Sequence, residues 1–134
     1  MGLKPEETIA TYIATSLAVY TLGTNCFYGP VTPDPVEGCW VVPTGGPPPK
    51  RFIGETEQQK HYSFQIRTRS DKGDFDGALL NARNVSDTLH DAIHSGTFAS
   101  YLDIVLLQSQ PMFIGFDDYG RPQFSQNIEA HFKE

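Results

Sequence analysis

Cysteine is scarce in this chain. Cys26 and Cys39 are the only two in 134 residues, too few for a disulfide framework or a four-ligand zinc site. They fall on two neighbouring predicted strands and can come close in space. Long apolar runs are missing too, and nothing approaches the ~18 consecutive apolar residues of a membrane-spanning helix. The opening residues Met1-Gly2-Leu3-Lys4-Pro5-Glu6-Glu7 put two acids where a secretory leader carries positive charge and then an apolar run. The expectation is a protein kept in a cytosol, or packaged into a particle assembled there, with both thiols reduced. Basic charge is in short supply: 10 Lys and Arg stand against 16 Asp and Glu, a formal charge of −6. That argues against a nonspecific grip on a phosphate backbone but lets DNA slide past under mild repulsion.

Recognisable catalytic patterns are also lacking. There is no Gly-x-Ser-x-Gly elbow, and neither cysteine sits in a reactive context. Gly45-Gly46 leads into Pro47, which has no amide proton to offer a phosphate. Asp74-Phe75-Asp76-Gly77 imitates part of a calcium loop, but the alignment puts Lys72 at the first ligand position and Arg83 where the bidentate Glu belongs. Helix capping explains that segment better. His90 and His94 are four apart on a predicted helix and could face one metal ion; with no third ligand evident they read as surface histidines, and His61 and His131 carry no stronger signal. Asp117 and Asp118 read as turn formers, and Trp40 as core. No cofactor, metal or catalytic residue is assigned, and the expectation is a protein that is not an enzyme.

What the chain does have is strong local patterning. Pro5-Glu6-Glu7 opens a helix with an apolar stripe at Ile9, Tyr12, Ile13, Leu17 and Tyr20, and Gly23 is expected to end it. Short strands follow at Asn25–Tyr28 and Gly38–Val42, separated by a turn-rich proline loop. Thr44 to Lys60 reads as a long loop with Gly45-Gly46 and three consecutive prolines, Pro47, Pro48 and Pro49, stiffened toward an extended shape. His61 to Ser70 alternates, with Tyr62, Phe64, Ile66 and Thr68 on one face and Ser63, Gln65, Arg67 and Arg69 on the other. Asp74 caps a second helix with the stripe Phe75, Ala78, Leu79, Ala82, Val85, Leu89 and Ile93. Leu102 to Gln108, apolar on both faces, reads as a central strand. Met112–Phe116 and Phe124–Phe132 flank a turn and form a terminal hairpin. The predicted fold class is α+β: one domain over residues 1–134, a mostly antiparallel (mixed) sheet of about six strands, and two helices on one face. Arg67 and Arg69, two cations on one exposed strand face, suggest pairing with an acidic neighbour, perhaps another subunit.

Four stretches together resemble the tail-terminator, or minor capsid, proteins of tailed bacteriophages. They are Leu22-Gly23-Thr24-Asn25-Cys26-Phe27-Tyr28-Gly29, Thr44-Gly45-Gly46-Pro47-Pro48-Pro49, Phe64-Gln65-Ile66-Arg67-Thr68-Arg69, and Leu106 to Pro111 followed by Asp118-Tyr119-Gly120-Arg121-Pro122-Gln123-Phe124-Ser125. The resemblance covers nearly the whole chain and departs at Gly29–Val36. It implies a virion protein assembled in the bacterial host cytoplasm, a subunit of a homohexameric ring at the head-proximal end of a tail. Its partners would be copies of itself, the tail tube protein and the head-completion proteins of the neck, with DNA passing through the lumen without specific binding and no membrane involved. Thr44, Gly45, Gly46, Pro47, Pro48, Pro49, Arg67 and Arg69 are the candidate interface residues. Three other readings stay open: another neck component, a monomeric module whose proline-rich loop docks on aromatic grooves, and a small hydrolase.

Overall fold

The computed structural model of the chain describes residues 5–45, 50–51, 58–96 and 103–133. Helix α1 (Pro5–Ser16) starts as expected, with Glu6 and Glu7 in its first turn against the positive end of the helix dipole. Ile9, Ala10 and Ile13 are its buried face. It stops at Ser16 rather than at Gly23. Hydroxyl side chains compete for backbone partners here, as when the Thr15 hydroxyl donates to the Thr11 carbonyl, which weakens a helix near its end. Gly23 does adopt a left-handed backbone, φ +85°, but in the tight turn 21–25 that leads into the first strand.

Among the described residues seven strands form one mixed sheet: β1 (Cys26–Tyr28), β2 (Gly38–Gly45), β3 (Lys50–Arg51), β4 (Gln58–Arg69), β5 (Asp103–Leu106), β6 (Met112–Phe116) and β7 (Pro122–Lys133). Helix α2 (Phe75–His94) lies between β4 and β5 in sequence. The two long strands β4 and β7 run antiparallel at the centre, paired from Gln59↔Lys133 to Arg69↔Gln123. β2 and β3 pair with successive parts of β4, and β6 and β5 with successive parts of β7. β1 joins β2 in parallel and ends the sheet on that side.

Two further expectations are corrected. Leu102–Gln108 is not a central strand: its described strand is β5, which among the described residues pairs only with β7. Only Ile104 of its apolar residues is fully buried, and Leu107 lies exposed beyond the strand end. The segment from Thr44 is not wholly loop: β2 continues through a register shift between Pro43 and Gly45. Gly45, at φ +95°, supplies the left-handed conformation such a bulge accommodates. Farther on, β3 pairs with Gln58 and Gln59, so β4 starts before His61.

Both helices cover the same face, α1 over β1 and β2, α2 over β4, β5 and β7. Between helices and sheet lie Ile9, Ile13, Val41, Phe64, Ile66, Val85, Leu89, Ile104 and Ile128, all buried in one cluster. Cys26 and Cys39 sit in this layer as register partners on the parallel pair β1–β2, both free thiols. Hydrogen bonding to Cys26 and complete burial push the Cys39 thiol pKa well above its usual value, which leaves it protonated and inert. The Asp74 carboxylate caps α2 by accepting from the Gly77 N–H at 3.1 Å, as its position before the stripe predicts. One buried polar contact interrupts the apolar layer. The Gln126 side chain accepts from the Ser86 hydroxyl on α2 and donates to the Gln108 carbonyl, tying helix to sheet.

Candidate functional site

The face of the sheet turned away from the helices is polar. Alternation along β4 brings up His61, Ser63, Gln65, Arg67 and Arg69, and the antiparallel register sets them beside His131, Glu129, Asn127, Ser125 and Gln123 of β7. The two arginines, expected to be exposed together, have different environments. Arg67 is half-buried, with its Nε donating to Gln65. Arg69 is 4% exposed and is held by its own chain.

Arg69 lies over the Trp40 ring at 4.4 Å, a cation–π geometry, and Trp40 in turn stacks on Phe27. Trp40 is therefore buried as expected, but on the face opposite the helices. Arg69 Nε donates to the Val36 carbonyl at 3.1 Å and Nη2 to those of Pro33 and Pro35. Arg121 also donates to the Pro33 carbonyl, at 2.9 Å. Asp117 holds both cations, 2.7 Å from Arg121 Nε and 3.8 Å from Arg69 Nη1. Burial alone would raise the Asp117 pKa. The backbone and side-chain N–H groups of Arg121, the Tyr119 N–H and the Arg121 charge outweigh burial and lower it. Burial and the neighbouring Arg121 lower the Arg69 pKa, and Asp117 and Asp34 partly offset them. Two arginines and one aspartate thus pin the proline loop, with its cis Asp34–Pro35 peptide, across one end of the sheet. Shallow clefts of about 270 and 370 Å³ flank this knot, the first reaching Arg67 and Asp118, the second Asp71 and Lys72.

The outer edges of the sheet contrast with this satisfied centre. On the β6 side Met112, Phe113, Ile114 and Phe116 are all exposed, Phe116 by 61%. Phe113 also packs against Phe75 and Phe124, which anchors the strand to α2. At the opposite edge Val19, Leu22 and Tyr28, around β1, are exposed as well. Neither apolar edge is legible in the sequence, because exposure of an apolar residue depends on where the topology puts its strand.

Of the other residues marked in the sequence, Thr44 and Gly45 are exposed at the end of β2, and Gly46, Pro47, Pro48 and Pro49 lie outside the described residues. His90 and His94 stack edge-on at the surface of α2. Asp117 does serve its turn, accepting from the backbone N–H groups of Tyr119 and Arg121. The three-donor cluster among the described residues is a different one, His61, Glu129 and His131, assembled by the β4–β7 register. No helix among the described residues is long and apolar enough to cross a membrane.

Comparison with known proteins agrees with this architecture. A solved structure titled "Virion of native gene transfer agent (GTA) particle" contains a chain that superposes with a TM-score of 0.53 at 18% identity, covering 98% of this chain and 89% of that one. At that identity the likeness shows a shared fold. No curated protein sequence matches. The sequence profile of the bacteriophage tail terminator family matches residues 13–134. With the whole sheet, α2 and the last turn of α1 inside that match, the chain belongs to the bacteriophage tail terminator family, a family of structural phage proteins.

Proposed function

We propose that this protein is a non-catalytic ring subunit that ends a phage tail at its head-proximal side, stops tube growth and presents a surface to the head-completion proteins. The observation that carries the ring is the pair of exposed apolar edges at opposite ends of one sheet. A closed ring of identical subunits needs a heterologous contact, one surface of each copy against a different surface of the next. The β6 edge and the β1 edge are two such unlike surfaces: the first joins apolar side chains to an edge strand, whereas at the second the 21–23 turn pairs with Cys26 and the apolar side chains of Val19, Leu22 and Tyr28 make the surface. Arg67 and the segment 44–60, with Thr44 and Gly45 exposed at its root, add contacts to a neighbouring subunit or the tube. The acidic balance of the chain lets DNA pass without being held. The particle is assembled in the host cytoplasm and the protein stays with the virion.

Light scattering and negative-stain imaging, with and without added tail tubes, test this. The wild type is expected to give closed rings of about six copies. Phe116→Glu and Leu22→Glu should each abolish rings, because one half of every contact is lost. Mixed together, the two variants should form a dimer and nothing larger, since one intact β6 edge can meet one intact β1 edge. A wild type that stays monomeric even with tubes, or variants that still close rings, would overturn the reading.

A further inference from the structure

On the polar face of the sheet, away from both the arginine knot and the apolar edges, His61 and His131 are direct cross-strand partners on β4 and β7. Their rings stack with centroids 4.0 Å apart. Glu129, two residues before His131 and therefore on the same face of β7, reaches both. Its Oε1 lies 2.7 Å from His131 Nε2 and 3.8 Å from His61 Nδ1. One donor atom from each of the three residues can be chosen so that all lie within 4.8 Å of one another. The three side chains are only partly exposed, at 17, 25 and 22% for His61, Glu129 and His131, and His61 Nε2 is buried without a partner.

We propose that His61, Glu129 and His131 form a binding site for a divalent transition-metal cation of the zinc class. Two imidazoles and one carboxylate are a donor set suited to such ions. An ion held at 2.0–2.1 Å by each ligand in a tetrahedron sets the donors roughly 3.3 Å apart. The two separations from Glu129 bracket that value, and the stacked imidazoles have to turn so that their in-plane lone pairs converge on the ion. The ligands are carried by the two central strands, whose backbone is fixed by the longest ladder in the sheet, so the three side chains are already adjacent before an ion arrives. Three protein donors leave at least one coordination position for water or another group. A bound ion would bridge β4 to β7 and stabilise the fold by mass action.

Cobalt(II) titration of the full chain, followed by visible absorption, tests this together with thermal unfolding in zinc chloride and after chelation. One equivalent of cobalt is expected to give the intense d–d bands of a tetrahedral site, and zinc to raise the unfolding temperature reversibly. His131→Ala and the near-isosteric Glu129→Gln should each weaken binding at least about tenfold. The double variant His90→Ala/His94→Ala, which removes the competing surface pair, should bind as the wild type does. Either of two results would overturn the site: no saturable cobalt binding by the wild type, or binding that survives in a folded Glu129→Gln protein and disappears in the His90/His94 variant.

Discussion

Under the helices, the four central and flanking strands are sealed by apolar side chains, with Phe64, Ile66, Val41 and Ile128 packed against Ile13, Val85 and Leu89. On the opposite face the same strands and the β6–β7 turn hold two buried guanidinium groups, a partly buried carboxylate and an indole, with the carbonyls of the proline loop as acceptors. The first arrangement is non-directional and tolerates small shifts, because burial of apolar area is what stabilises it. The second depends on direction: Arg69 Nε and Nη2 each have to meet particular carbonyl oxygens. A sheet with one face of each kind has a core that specifies folding and a polar face that specifies how one surface loop is held.

Truncation in the apolar layer should have the largest effect. Phe64→Ala empties a fully buried site between β4 and the helices and should cost about 3–5 kcal/mol, read as a lower denaturant midpoint. Arg69→Met keeps an apolar stem over Trp40 but removes hydrogen bonds from a charged donor to three carbonyls, and should cost about 2–3 kcal/mol. It should also open the 30–37 loop to limited proteolysis, which Phe64→Ala at matched stability should not; Arg67→Met should stay within about 0.5 kcal/mol of wild type. The smallest effect is the pH dependence. Because the folded-state pKa of Asp117 is lowered, its contribution is complete above the unfolded carboxylate value of ~3.9 and is lost as pH falls below that through the folded value. Asp117→Asn should therefore flatten the acid limb below about pH 4, whereas Phe64→Ala should lower the whole profile without changing that limb. An unchanged acid limb in Asp117→Asn would show that the knot holds the loop without the carboxylate charge.

Most of the fold was legible because its signals are local. The Asp74 cap and the stripe through Ala78, Ala82, Val85 and Leu89 define α2 within twenty residues. Strict alternation from Tyr62 to Arg69 assigns each side chain of β4 to its face. Sheet order was not legible, because an apolar segment such as Ile104-Val105-Leu106 reads the same at an edge as at the centre. The difference between Arg67 and Arg69 was also hidden. It depends on a loop more than thirty residues upstream folding back onto one end of β4, and on Arg121 and Asp117 arriving from a distant turn. His61 and His131 looked like isolated histidines for the same reason. Seventy residues apart in sequence, they meet only through the β4–β7 register.

That register also has a mechanical consequence. β4 and β7 are joined at eleven successive paired positions, from Gln59↔Lys133 to Arg69↔Gln123. Tension drawing the two strands past each other along their length loads all of those bonds in parallel. The short edge strands, held by far fewer pairs, would peel one bond at a time. A subunit built this way has a stiff spine along one direction and compliant margins on either side, so strain within an assembled particle would be taken up at the edges before it reached the central ladder.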